Sequence, residues 1–210
     1  MTARAKIAHF TDRFLPLNGI VHVGAHEGQE VPWYLLMDHV PIYLFEPHPG
    51  ACGVLREKYA SDYRVSIFEM ALGDTDANVD MFIPRHLHDG SDDSQSGSVL
   101  RPDHDSSYPW GDRGVEGRMV GVKMVRFDSL DLQLTSVNAL VIDVQGFEYQ
   151  VLEGFGQLLE SFNYLVVECS ETPIYRGGAS AREVIDFLAE RGLRQDSPVQ
   201  SHDDIFFIRD

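Results

Sequence analysis

The sequence predicts an α/β domain built around a mainly parallel β-sheet, and three observations carry that prediction. The chain of 210 residues has the length of one ordinary domain, enough to bury a sizeable core. Short apolar runs alternate along it with segments of helical spacing, the pattern of successive βαβ units. Three of those runs deliver an acid at or near their carboxyl ends, the edge at which open α/β sheets hold ligands.

The elements follow in order. Ile7, Phe10, Phe14 and Leu15 stand near helical spacing and predict a leading helix over 2–16, ended by Pro16 and Gly19. The run IVHV at 20–23 is the first strand. Val31, Tyr34 and Leu35 predict a helical turn, and IYLF at 42–45 a second strand. Pro47 and Pro49 open a helix carrying Val54, Leu55 and Tyr59, and a third strand falls around Arg64 to Phe68. From 84 to 118 serine, glycine, proline and acids dominate, which is loop chemistry; Tyr108 and Trp110 within it favour a lid. Order resumes with VGVKMVRF. ALVIDV at 139–144, a helix through Phe147, Val151 and Phe155, and YLVVEC at 164–169 come next. A helix from about Ser180 to Glu190 and a last strand, IFFI, close a single domain over 1–210. The IFFI run is expected as a covered edge strand or the seam of a homodimer.

Composition narrows the function. With 43% hydrophobic and 24% charged residues the chain is globular, and 17 Lys and Arg against 33 Asp and Glu give a net charge of −16. Such a charge repels phosphate backbones and anionic lipid, so neither nucleic acid nor a membrane surface is the expected partner. Cys52 and Cys169 make no disulfide framework, no window reaches transmembrane length, and the N-terminal stretch lacks the apolar run of a signal peptide. The expectation is a soluble protein of the cytoplasm. His22, His26, HLHD at 86–89 and DHD at 103–105 have no spacing specific to a metal site, and no metal is expected. His22, on a strand, reads as a packed or capping residue.

The acids at the strand ends are Glu46, Asp143 and Glu168. A carboxylate there costs desolvation unless a ligand or a helix N-terminus offsets it. The turn after the first strand, GAHEG, sets Gly24 and Gly28 around Ala25, His26 and Glu27, so the backbone can bend tightly against a ligand. Glu46, beside Pro47, follows Gly24 at the separation where an acid accepts hydrogen bonds from a ribose. Neither GxGxxG nor a phosphate loop is present. A nucleoside without phosphates, with a cationic group near Glu27, fits better than a pyrophosphate, and S-adenosylmethionine has that profile.

The strings VHVGAHEGQE, LFEPHPG, MALGD and VIDVQGFEYQVLEG, spread over Ile20 to Ser170, resemble the FkbM-type S-adenosylmethionine-dependent methyltransferases, the last string being the most specific. The resemblance implies a class I methyltransferase fold: a Rossmann-like, seven-stranded, mainly parallel sheet with helices on both faces and its last strand antiparallel. It implies Gly24 and Gly28 along the methionine part of the cofactor and Glu46 at the ribose hydroxyls, with Ala25, His26, Glu27 and Pro47 among the cofactor-binding residues. Ala71 and Leu72 would lie near the adenine. Asp143 would face the methyl-transfer centre, with Glu148 on the following helix, and these two are the candidate catalytic acids. His22 and His26 depart from the acid and the Asn common in the family.

The expected reaction is O-methylation of a hydroxyl on a small-molecule or sugar-containing metabolite, which the resemblance implies and the composition does not. Ser96, Ser98, Glu168 and Arg176 are the candidate substrate contacts. Two alternatives stand beside it. An NAD-dependent oxidoreductase is opposed by GxxxG in place of GxGxxG. A non-catalytic nucleoside-binding module is opposed by Gly24, Gly28, Glu46 and Asp143 and favoured by the departure at His22.

Overall fold

The computed structural model describes residues 16–86, 88–103, 113–132, 134, 137–199 and 202–209, with side chains at 113–115 excepted. The expected leading helix, together with Tyr108 and Trp110 of the expected lid, lies outside the described residues.

The strands β1 (Ile20–Val23), β2 (Ile42–Phe45), β3 (Val65–Phe68), β7 (Ala139–Ile142), β8 (Tyr164–Ser170), β9 (Leu193–Gln195) and β10 (His202–Arg209) form one sheet in the order β3-β2-β1-β7-β8-β10-β9. β1, β2, β3, β7 and β8 run parallel, and β10 is antiparallel to both its neighbours. The fold class is therefore the one the sequence implied, a seven-stranded mainly parallel sheet. β10 is interior, so the IFFI run is neither an edge strand nor a seam: Ile205, Phe206 and Phe207 are buried between β8 and β9.

Period-two alternation sorts the sheet residues into two cores. Ile20, Ile42, Leu44, Ala139, Val141, Val166 and Phe206 pack on one face against Val31 and Tyr34 of α1 (Val31–Tyr34) and Leu55 of α2 (Pro49–Tyr59). Val21, Val23, Leu140, Ile142, Leu165, Val167 and Phe207 pack on the other. There they meet Val151, Leu152 and Phe155 of α3 (Glu148–Phe155) and Val184, Phe187 and Leu188 of α4 (Ala181–Ala189). Because both faces are covered, these strands read as continuous apolar runs. α4 begins with a capping box, in which Ser180 and Glu183 satisfy each other's backbone N–H groups. His22 is packed as expected, buried with its Nδ1 3.2 Å from the Tyr34 hydroxyl.

A second sheet, in the order β4-β6-β5, stands over the carboxyl edge of the first. It contains β4 (Ala71–Leu72), β5 (Ala77–His86) and β6 (Arg113–Val125). The loop expected over 84–118 is therefore shorter at both ends: β5 runs on through Pro84 to His86, and β6 already begins at Arg113. Pro84 is accommodated because β5 is the outer strand of its sheet and its register against β6 shifts between Pro84 and His86. Among the described residues no helix is long and apolar enough to cross a membrane.

Candidate active site

Register builds the site. Val23 of β1 pairs with Phe45 of β2 and with Ile142 of β7, and Ile142 pairs in turn with Val167 of β8. The next residue on each strand, Gly24, Glu46, Asp143 and Glu168, thus emerges in one row at the carboxyl edge. The turn after β1 needs positive φ at Gly24 (+84°) and Gly28 (+76°), and a Cβ on Gly24 would overlap the Asp143 carbonyl oxygen. His26 also has positive φ, 45°.

A cleft of about 330 Å³ lies over this row, floored by the strand ends and roofed by Met81 of β5 and the segment Ser94–Val99. That segment is fastened at several points. Its 3-10 turn is capped by Asp93, and Ser98 exchanges two backbone hydrogen bonds with Phe82. The Ser98 hydroxyl donates to the Gln145 carbonyl at 2.7 Å, and Ser94 Oγ lies 2.9 Å from His26 Nε2.

Four acids line the cleft, Glu30, Glu46, Asp143 and Glu168, and among its described lining residues there is no Lys or Arg. Glu46 is 4% exposed, and its two carboxylate oxygens accept the backbone N–H groups of His26 (2.8 Å) and His48 (2.7 Å). It is not the cap of α2; His48 is, accepting from the Ala51 N–H. Burial, with a smaller push from the charge of Asp143, raises the Glu46 carboxyl to about 7 against the pull of those two N–H bonds.

Asp143 and Glu168 are joined by a residue the sequence reading passed over. Gln145, held at a φ of 58°, donates from Nε2 to Asp143 Oδ1 and to Glu168 Oε2, each at 2.7 Å. Its Oε1 accepts from the Tyr175 hydroxyl at 2.8 Å, which fixes the orientation of the amide. Burial first, and then the adjacent Asp143, push the Glu168 carboxyl well above the ordinary range. The signal in the sequence was only the Gln145–Gly146 pair after a strand, where positive φ recurs at Gly146.

The other expected site residues divide. Ala25, His26, Pro47, Ala71, Leu72, Ser96 and Ser98 line the cleft. Glu27 does not; it lies 3.9 Å from the Lys58 ammonium on the surface. Gly28 turns the chain behind the cleft, where an added Cβ would meet Leu55 and Tyr59. Arg176 points to Asp103 at 3.4 Å, outside the cleft. Glu148 is 6% exposed and absent from the cleft wall: its Oε1 accepts the N–H groups of Val144 (3.2 Å) and Gly146 (3.0 Å). The structure thus sets this expected catalytic acid outside the cleft wall, where its Oε1 supports the β7–α3 turn. Burial raises its carboxyl to about 7.

Comparison with known proteins agrees with this architecture. The family model described as the methyltransferase FkbM domain matches residues 22–194. The 2-O-methyltransferase NoeI of Sinorhizobium fredii (strain NBRC 101917 / NGR234) is 28% identical over 177 residues, 80% of this chain and 70% of that protein. Crystal structures with the same fold include a SAM-dependent methyltransferase from Aquifex aeolicus, at TM-score 0.51 and 10% identity over 95% of this chain and 88% of that one. Another is the magnesium protoporphyrin IX methyltransferase ChlM of Synechocystis PCC 6803 with bound SAH, at TM-score 0.55 and 8% identity over 99% and 82%. The chain belongs to the FkbM methyltransferase domain family.

Proposed function

We propose that this chain is one S-adenosylmethionine-dependent methyltransferase domain that methylates a hydroxyl of a small-molecule or sugar-containing acceptor. The observation that carries the cofactor is the cleft itself, lined by four acids without a described Lys or Arg at the carboxyl edge of a methyltransferase sheet. Such a wall welcomes a cation and repels phosphate. Support for oxygen as the acceptor atom comes from the relative named as a 2-O-methyltransferase.

The residues fit that cofactor. A carboxylate offers about four acceptor positions, so Glu46, with two given to backbone N–H groups, retains capacity for two ribose hydroxyls. Phe45, Met70, Ala71 and Leu72 supply an apolar wall for a purine, and the Gly24 turn lets the chain pass close to an amino acid end. When bound, S-adenosylmethionine supplies a methyl group on a sulfonium, a donor that needs alignment more than activation. Asp143, held by Gln145, is the acid we assign to the transfer centre, where it orients the acceptor and offsets positive charge. The Ser94–Val99 roof excludes water from that centre.

Calorimetric titration with S-adenosylhomocysteine, set beside thermal shift with NAD, tests the reading. Saturable binding of the first and no shift with the second are expected; the reverse would overturn it. Asp143→Asn is expected to lower transfer of a tritiated methyl group to pyranoside acceptors by about 100-fold, the lower end of what a positioned acid or base contributes. Full turnover with unchanged cofactor affinity would remove Asp143 from its assigned role.

A further inference from the structure

Methylation of a hydroxyl releases a proton, and three of the four cleft acids already hold hydrogen bonds within the protein. Glu46 accepts two backbone N–H groups, and Asp143 and Glu168 share the Gln145 amide. His26 has Ser94 Oγ at one ring nitrogen and the Gln29 amide at the other. A second imidazole stands at the far end of the row. His202 opens β10, and the antiparallel register seats it across from Ser170, two residues beyond Glu168 on β8. Its Nδ1 is 2.7 Å from Ser170 Oγ and its Nε2 is 3.7 Å from Glu168 Oε1. The ring lines the main cleft and also the small cavity beside it that Tyr175 and Gly178 close.

We propose that His202 is the general base of the reaction, its Nε2 receiving the acceptor's hydroxyl proton while Ser170 accepts from Nδ1–H and fixes the tautomer. The proposal rests on the O-methylation reading above. In the step, the acceptor O–H bond breaks and its proton passes to Nε2. The oxygen lone pair forms the new bond to the methyl carbon, and the carbon–sulfur bond breaks with its electron pair kept on sulfur. One positive charge disappears from the sulfonium and one appears on the imidazolium, so charge balances. The imidazolium then faces Glu168 on β8, which has Asp143 beside it, with Glu148 lining the same side cavity and Asp203 next to it on its own strand. An acidic surround of this kind stabilises it. An imidazole is the side chain whose ordinary pKa suits proton uptake near neutrality.

Two measurements decide it. With pyranosides as acceptor probes, His202→Gln is expected to lower kcat by about 100-fold or more, with KM within about twofold, and to abolish the acidic limb of the kcat–pH profile. Affinity for S-adenosylhomocysteine should stay within about twofold, because the cofactor contacts assigned above follow β1 and β2 and His202 stands on β10, beyond β7 and β8 in the sheet. Ser170→Ala, which keeps the imidazole but frees its tautomer, should cost about tenfold in kcat and serves if His202→Gln fails to fold. Independently of any acceptor, ¹⁵N-histidine NMR of the S-adenosylhomocysteine complex at about pH 7.5 should show His202 neutral and protonated on Nδ1. Retained kcat, an unmoved acidic limb, the Nε2–H tautomer or a doubly protonated ring would each overturn the proposal. Wild-type transfer to amines and to no hydroxyl would instead overturn the O-methylation reading, an outcome distinct from a failure at His202, which leaves wild-type O-transfer intact.

Discussion

Replacing Glu46 by Gln tests the cofactor assignment, because one side chain carries both the ribose contacts and a titration near neutral pH. In the free protein its carboxyl titrates at about 7. A group with that pKa is ionised in about one molecule in ten at pH 6 and about nine in ten at pH 8. If the ribose hydroxyls donate to the ionised carboxylate, the Kd for S-adenosylhomocysteine should fall about tenfold across that interval. A hydrogen bond to a charged group contributes about 1.5–3 kcal/mol, so Glu46→Gln should weaken binding at pH 8 by about 10- to 100-fold and flatten the profile. The comparison separates Glu46 from His26 and His48, rings that burial holds below the ordinary histidine value in both proteins. The variant should also lose stability. A glutamine oxygen can accept one of the His26 and His48 N–H groups but not both, leaving a buried donor at a cost of about 1–3 kcal/mol. Isothermal titration at several pH values, on protein shown folded by circular dichroism, reads all of this. Binding by the variant within twofold of wild type at pH 8, or a wild-type Kd that ignores pH, would refute the reasoning.

The remaining predictions concern stability. Burial raises the Glu148 carboxyl to about 7 in the folded protein from an ordinary glutamate value of 4.5, so between those values the native state binds more protons and its stability falls as pH rises. Glu148→Gln keeps an acceptor for the Val144 and Gly146 N–H groups without the charge. In urea unfolding it should therefore match wild type at pH 5 and exceed it at pH 8, by up to about 3 kcal/mol. Glu148→Ala should lose stability at both pH values, and an equal loss for the glutamine variant at both would sink the argument. Gly53 of α2 has open space where a Cβ would stand, so Gly53→Ala should stabilise by about 0.5–1 kcal/mol in the same assay. On Gly154 of α3 a Cβ would overlap the Gly73 carbonyl, and Gly154→Ala should destabilise by about 1–3 kcal/mol or more. Equal midpoints for the two alanine variants would contradict the packing described.

How much of this the sequence disclosed depended on how each element is buried. IVHV, IYLF, ALVIDV and YLVVEC are covered on both faces and announce themselves as unbroken apolar runs. β4, two residues long, and β5, half-exposed over Ala77–Asp80 and interrupted by Pro84, have no such run; their pairing with β6 makes them strands. In the site, Glu46 and Asp143 were legible because an acid abutting an apolar strand is costly and must be offset. Gln145 was not, because a neutral amide in a turn carries no such cost. Nor was His202, which antiparallel pairing brings beside Ser170 from 32 residues away. Glu148 was expected in the cleft because its charge is visible in the sequence, while the two backbone N–H groups that its Oε1 accepts outside the cleft wall appear only when the β7–α3 turn folds.

The acids of the cleft also explain why position matters more than the net charge of −16. Many acids elsewhere are neutralised locally: Asp62 by Arg64, Asp92 by Arg85 and Arg118, Asp128 by Arg126, Asp186 by Arg182. Exposed pairs of this kind contribute about 0–1 kcal/mol each and leave little field in the cleft. Glu46 and Glu168 line one cleft with no arginine or lysine among its described lining residues, and their carboxyls rise first because burial removes water and then because Asp143 is near. A phosphate placed there would add to a repulsion that protonation already only partly relieves. A sulfonium and an ammonium would remove it, and would draw Glu46 toward the ionised form that a ribose diol binds best. Affinity for a cationic nucleoside and the protonation state of the cleft are thus one linked equilibrium, set by acids gathered where the described lining holds no Lys or Arg, while many surface acids stand beside an arginine.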